Sequence, residues 1–175
     1  GVDLLFHSEG DGTFEDFSRQ LDEDLLYGAG YAVVWLDYDN DGDPDLYVGN
    51  DRGSTEPWEP GETVLRNLMF RNEGPGCGGA CFEEVAEEVG ADLRIDSMGI
   101  AVADYDGDGW LDLAVSDGGP PRPLRNLMGS FIDVTLVAGL EGAAVADGWG
   151  LVFLDYNNDG YPDLYLADGL TSEQP

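Results

Sequence analysis

The sequence contains no lysine, and its seven basic residues are all arginines. Against them stand 37 acidic residues, which give the 175-residue chain a formal net charge of −30. Nucleic acids and anionic membrane surfaces are attracted by a basic face, so this balance argues against both as partners. Cations are the favoured partners, because they relieve the repulsion between carboxylates in a folded chain.

Long hydrophobic runs are also missing. No apolar run approaches the roughly 18 residues of a membrane-spanning helix. The opening residues, GVDLLFHSEG, lack the basic and then apolar pattern of a signal peptide and already lie inside a patterned segment. This is compatible with a mature or trimmed chain, so the missing signal says little about secretion.

Histidine occurs once, at His7, and cysteine only at Cys77 and Cys81. A zinc site needs about four ligands, which argues against zinc. The two cysteines flank Gly-Gly-Ala in a glycine-rich turn, where they either remain free thiols or close a small disulfide loop. We predict the disulfide, which implies an oxidising, extracytoplasmic setting.

A nine-residue acidic segment occurs three times: DYDNDGDPD at 37–45, DYDGDGWLD at 104–112 and DYNNDGYPD at 155–163. Tyr is always second, Gly sixth, and Asp first, fifth and ninth. Alternating acids in a tight turn direct several carboxylates to one centre, and Ca²⁺ takes six to eight oxygen ligands. Turn-forming preference explains one such segment, but not three copies with acids at fixed positions.

The sequence therefore predicts about three calcium sites, with ligands at loop positions 1, 3, 5, 7 and 9, position 7 acting through its backbone carbonyl. Mg²⁺ is less favoured, because it keeps several waters and a strict octahedron. An EF-hand loop ends in Glu at position 12, whereas here Val48, Val115 or Leu166 stands there, so each loop joins two strands. The candidate ligands are Asp37, Asp39, Asp41, Asp43 and Asp45; Asp104, Asp106, Asp108, Trp110 and Asp112; and Asp155, Asn157, Asp159, Tyr161 and Asp163.

Short apolar segments flank each acidic loop and predict buried strands. A second element, LLFHSEGDGTFEDFS at 4–18, recurs at 68–86 and more loosely at 124–135, and its Gly10-Asp11-Gly12 indicates a β-hairpin. Hairpin and strand–loop–strand alternate three times. We predict one repeat array over residues 1–175, with units at about 1–50, 65–118 and 122–169 and an insertion at 50–64.

The pattern DxDxDGxxD between apolar strands, alternating with these hairpins, resembles the FG-GAP/VCBS repeat family over nearly the whole chain. That family forms the β-propeller blades of integrin α subunits and of cartilage-acidic-protein-like secreted propellers. The resemblance implies an all-β fold of four-stranded antiparallel blades, with Ca²⁺ in the loop between the first two strands. It implies first and second strands at 31–49, 98–116 and 149–167, and third and fourth strands at 4–17, 68–86 and 122–135.

A propeller ring needs about four to eight blades to close, so three repeats form an open or partial propeller. Both ends of the array are half-blades, which are completed either by neighbouring copies, head to tail into a filament, or by further blades of the same protein. The third loop has Asn157 where Asp is usual, so we expect it to release calcium first.

The motifs of catalysis are missing as well. The sequence has no GxSxG elbow and no lysine for amine chemistry, and His7 aligns with Arg71 and Arg125 in the other hairpins. We predict an extracellular or cell-surface calcium-binding protein with a structural or adhesive role that is not an enzyme. The alternative is a calcium-dependent module that binds carbohydrates or cell-surface proteins, for which Trp58 in the insertion is the best stacking candidate.

Overall fold

The computed structural model describes residues 3–21, 29–51, 65–74, 82–143 and 147–169. These residues are almost entirely strands and turns, with one 3-10 turn at Ser18–Gln20 and one short helix, α1, at Ala86–Val89. The strands are β1 (Phe6–Ser8), β2 (Phe14–Asp16), β3 (Gly30–Leu36), β4 (Asp45–Asn50), β5 (Leu68–Asn72), β6 (Phe82–Glu84), β7 (Ile100–Ala103), β8 (Asp112–Asp117), β9 (Gly119–Asn126), β10 (Phe131–Asp133), β11 (Gly148–Leu154) and β12 (Asp163–Asp168).

The strands form four antiparallel sheets with neighbours in chain order. Blade A consists of β3-β4-β5-β6 and blade B of β7-β8-β9-β10, while β1-β2 and β11-β12 form an N-terminal and a C-terminal half-blade. Each full blade takes its first two strands from one strand–loop–strand segment and its last two from the hairpin that follows. The predicted fold class, antiparallel propeller-type blades in a partial array, is confirmed.

The N-terminal half-blade is a tight hairpin. Its strands pair from Phe6 opposite Asp16 to Ser8 opposite Phe14. Gly10 and Gly12 adopt φ of 78° and 96° in the turn, a left-handed conformation that glycine enters without steric cost. The sequence therefore places the turn through Gly10-Asp11-Gly12, as predicted.

Apolar side chains pack between neighbouring blades. One face of blade A, including Leu36, Tyr38 and Tyr47, is buried against the facing residues of blade B, which include Leu113 and Phe131. The blades therefore share one core instead of each forming its own.

The opposite face of blade A holds a second, smaller core. It contains Leu46, Val48 and Phe70, with Leu5 of the N-terminal half-blade packed against them. Beside it lies a cavity of about 400 Å³ next to Trp35 of β3. The N-terminal half-blade therefore covers only part of this face.

The first strands of successive blades lie side by side, with β7 between β3 and β11. The approach is closest before β7, where a Cβ on Gly99 would lie 2.0 Å from the carbonyl oxygen of Trp149. Only glycine fits there. Side-by-side first strands bring the loops that follow them to the same end of the array.

Several predicted features lie outside the described residues, namely Cys77, Cys81, Trp58 and most of the 50–64 insertion. In the part of the chain that the structure describes, no helix is long and apolar enough to cross a membrane.

Candidate metal centres in the acidic loops

Each acidic segment forms the connection between the first and second strands of its blade. The 37–45 loop joins β3 to β4, the 104–112 loop joins β7 to β8, and the 155–163 loop joins β11 to β12. We call them loops one, two and three in chain order. In each loop, the ninth residue is the first residue of the second strand.

The carboxylate at position 1 closes each loop by accepting hydrogen bonds from the backbone N–H groups at positions 5 and 6. All six distances lie between 2.9 and 3.1 Å. The acceptors are Asp37, Asp104 and Asp155, and the donors are Asp41 and Gly42, Asp108 and Gly109, and Asp159 and Gly160.

The side chains at positions 3, 5 and 9 also accept hydrogen bonds from backbone N–H groups of their own loop. Position 3 accepts from the N–H at position 5, position 5 from that at position 7, and position 9 from that at position 2, at 2.8–3.3 Å. Four side chains in each loop are thus held against the turn by its own amides. They are Asp39, Asp41 and Asp45 with Asp37; Asp106, Asp108 and Asp112 with Asp104; and Asn157, Asp159 and Asp163 with Asp155.

Two positions in each loop adopt left-handed backbone. The position-6 glycines have φ of 95°, 90° and 92°, as the sharp bend required. Position 4 is left-handed as well, with φ of 59° at Asn40, 75° at Gly107 and 60° at Asn158. Asn and Gly are the residues that enter this region most readily, so this second signal was present in the sequence but was missed.

The carboxylates converge in the first two loops. Oxygen atoms of Asp37, Asp39 and Asp45 lie within 4.8 Å of one another, and so do oxygen atoms of Asp104, Asp106 and Asp108. At position 7, the carbonyls of Asp43, Trp110 and Tyr161 accept no hydrogen bond within the described residues, so they remain available as ligands. A donor set made only of oxygens fits a hard cation such as Ca²⁺.

Electrostatics also favour a cation in these loops. Burial raises the pKa of Asp45 to about 6 and that of Asp112 to about 6, although each accepts two backbone N–H groups that lower it. The pKa of Asp39 is raised by burial and by the neighbouring Asp41 carboxylate. A positive charge at the centre would stabilise the ionised forms of all these groups.

The second loop carries an ion pair with Arg125. Its guanidinium lies 2.6 Å from Asp106 and 3.2 Å from Asp108, two of the candidate ligands. The corresponding arginine of blade A, Arg71, pairs instead with Glu73 and Glu83. The two loops therefore have the same backbone but different neighbouring charges.

Two asparagines that sequence analysis missed brace the loops from the third strand. The N–H of Asn72 donates to Asp45, and that of Asn126 to Asp112, both at 2.8 Å. Their side-chain amides donate to the carbonyl at position 8, Pro44 or Leu111. Both follow an arginine in aligned hairpins, so the shared Arg-Asn was a signal that could have been found.

Comparison with known proteins indicates the same repeat family that the sequence pattern resembles. The model of the FG-GAP-like repeat matches residues 1–48 and 104–166, which is more than half of the chain. The chain therefore belongs to the FG-GAP-like repeat family, and the predicted resemblance is confirmed.

The individual proteins to which the chain is similar share about a quarter of its residues. The chain is 27% identical over 184 residues to Cartilage acidic protein 1 of Xenopus tropicalis and 26% identical over 183 residues to Cartilage acidic protein 1 of Homo sapiens. Each alignment covers 100% of this chain and 26% of the relative. The chain thus spans about a quarter of the length of the relatives it matches.

Proposed function

We propose that the chain is an extracellular calcium-binding repeat protein with a structural or adhesive role. The observation that carries this proposal is the acidic loop, repeated three times with the same hydrogen bonds in a member of the FG-GAP-like repeat family. Each loop is a site, with side chains at positions 1, 3, 5 and 9 and the carbonyl at position 7 as ligands. The extracellular setting rests on the likeness to proteins named for cartilage and on the predicted disulfide.

Calcium supplies charge neutralisation in these sites. The chain's own residues supply the cage: the backbone amides orient the carboxylates, and Asp45, Asp112 and Asp163 anchor it to the second strand. Because positions 1 and 9 flank the connection, a filled loop ties the first two strands of its blade together. The role is therefore to stabilise the blades of an acidic chain.

Titration calorimetry tests the sites directly. Wild type should bind about three Ca²⁺ and bind Mg²⁺ far more weakly, since the cage offers more oxygens than an octahedron uses. Asp37→Ala, Asp104→Ala and Asp155→Ala should each remove one site. A full-length chain that stays folded and takes up no Ca²⁺ would refute the proposal.

The ends of the array offer an assembly surface. In blade A, Tyr47 of β4 pairs with Met69 of β5, and Leu46 with Phe70. By the same register, Tyr165 of β12 would pair with Leu5, the residue before β1, in another copy, completing a blade by strand addition. Such a head-to-tail contact builds a ring or a filament.

Sedimentation separates this assembly from completion by further blades of the same protein. Self-assembling wild type sediments as species larger than one chain, and Tyr165→Arg reduces them to monomers. Wild type that remains monomeric at all concentrations assigns the uncovered ends to further blades.

Binding, and not catalysis, is the activity we assign. His7 lies exposed on β1 opposite Glu15, as the hairpin pattern predicted. Recognition of glycans or cell-surface proteins is the alternative function, and a glycan screen with and without chelator tests it. The Cys77–Cys81 disulfide remains a prediction: without reductant, mass spectrometry should find the chain two hydrogens lighter than the dithiol.

A further inference from the structure

Asn126 is buried at the end of β9, and its backbone N–H and both polar groups of its side chain form hydrogen bonds. Its N–H donates to Asp112 at 2.8 Å, and its side-chain oxygen accepts from the N–H of Gly129 at 2.8 Å. Its side-chain amide donates to the carbonyl of Leu111 at 3.0 Å and to the carbonyl of Tyr38 at 2.8 Å. The last of these bonds crosses from blade B to the acidic loop of blade A.

Among the described residues, the matching asparagine of blade A bonds only within its own blade. Asn72 donates its N–H to Asp45 at 2.8 Å and its side-chain amide to Pro44 at 3.1 Å, and it accepts from Gly74 at 3.0 Å. Within the described residues it has no bond to another acidic loop. Asn126 is therefore distinguished by the loop of the preceding blade lying within its reach.

The receiving residue, Tyr38, stands between two proposed ligands, Asp37 and Asp39. It is buried, its N–H donates to Asp45 at 3.0 Å, and its ring lies 6.0 Å from that of Phe131 in blade B. Fixing this peptide from blade B limits the positions that both neighbouring carboxylates can take. Because the carboxylates then have fewer conformations before calcium binds, less conformational entropy is lost on binding.

A second bond links the same two loops. The side-chain amide of Asn40, at position 4 of loop one, donates to the carbonyl of Gly109, at position 6 of loop two, at 3.2 Å. In the described part of the chain, the carbonyls of Tyr105 and Tyr156 accept no side-chain amide, and Tyr156 is exposed. Within the described residues, these two hydrogen bonds connect loop one to the blade that follows it.

We propose that Asn126 is a positioning residue that couples loop one to loop two, so that the site at 37–45 depends on the docking of blade B. This rests on the proposed calcium function. Coupling is reciprocal, so calcium in either loop strengthens both the blade contact and binding in the other loop.

The position-6 glycines give one amide signal per loop, so calcium titrations followed by NMR read Gly42 and Gly109 separately in the whole chain. Asn126→Ala should raise the calcium concentration at half-saturation about fivefold in both loops, as the loss of a buried hydrogen bond implies. The matched control, Asn72→Ala, removes contacts of blade A alone, so it should raise the Gly42 midpoint and move the Gly109 midpoint by less, since it reaches loop two only through the coupling. A purely local role for Asn126 moves Gly109 alone and overturns the coupling.

A gentler variant protects the test against misfolding. Asn40→Gly keeps the left-handed backbone, as Gly107 does in loop two, and removes only the exposed amide. It should raise the Gly109 midpoint about twofold, and an unchanged Gly109 midpoint overturns the link. If neither glycine of the wild type responds to calcium, the calcium function itself fails and the coupling falls with it.

Discussion

Blade A and the C-terminal half-blade carry equivalent residues with opposite burial. Leu36, Tyr38 and Tyr47 are 3%, 2% and 0% exposed. Their counterparts at the same places around loop three, Leu154, Tyr156 and Tyr165, are 62%, 73% and 67% exposed. The first set is covered by blade B, whereas no described part of the chain covers the second.

The acidic loops of these two regions are nevertheless alike. Position 1 accepts the same two backbone hydrogen bonds at 3.1 and 3.1 Å in loop one and at 3.1 and 2.9 Å in loop three. Loop geometry is therefore set locally by nine residues, while burial is set by the next repeat, as expected for stacked repeats.

Removal of calcium acts on the acidic loops, which both regions have. We expect it to have the largest effect on stability. Each site saturated at about 100 times its dissociation constant stabilises the fold by about 2.7 kcal/mol. Thermal unfolding in excess chelator should therefore occur at a much lower temperature than in calcium. Equal midpoints in the two conditions would mean that the folded chain binds no calcium.

Truncation of the equivalent leucines, Leu36 and Leu154, tests the difference in burial between the two regions. Leu36→Ala should destabilise the protein by about 2–5 kcal/mol, because it leaves a cavity between blades. Leu154→Ala, its matched control, should stay within about 0.5 kcal/mol. Chemical denaturation with calcium present measures both. A large cost for Leu154→Ala that shrinks on dilution would show that a second copy covers this face.

The sequence was sufficient to predict the structural features that depend on residues close together in the chain. The strand–loop–strand segments, the hairpin around Gly10-Asp11-Gly12 and the repeated acids follow from turn chemistry and alternation, and the fold class followed from them. The bond from Asn126 to Tyr38 could not be predicted, because it joins two blades through residues 88 positions apart. Nor could the pairing of Arg125 with Asp106, since Arg71 at the aligned position pairs elsewhere.

At positions 1, 3, 5 and 9, loop three has one carboxylate fewer than loops one and two, and restoring it should produce a smaller change. Asn157 accepts from the N–H of Asp159 at 2.9 Å, as its acidic counterparts do, and also donates to the Asp159 side chain at 3.0 Å. Asn157→Asp keeps the acceptor, removes that donor and adds a carboxylate, so calcium affinity in this loop should rise about tenfold. The Gly160 amide reports it. If loop three of the wild type already binds most tightly, charge count does not set the order.

We expect the smallest change from Arg125, whose guanidinium would compete with calcium for two carboxylates in the proposed site of loop two. An ion pair at the surface is screened by solvent and contributes little, so Arg125→Gln should tighten this site by at most about fivefold. The control, Arg71→Gln, should give a smaller gain in loop one, since the ion pairs of Arg71 are with Glu73 and Glu83 and it acts on Asp39 only through the weaker charge interaction. The Gly109 and Gly42 amides distinguish the two. Weaker binding in Arg125→Gln would instead mean that the arginine holds Asp106 and Asp108 in place for the cation.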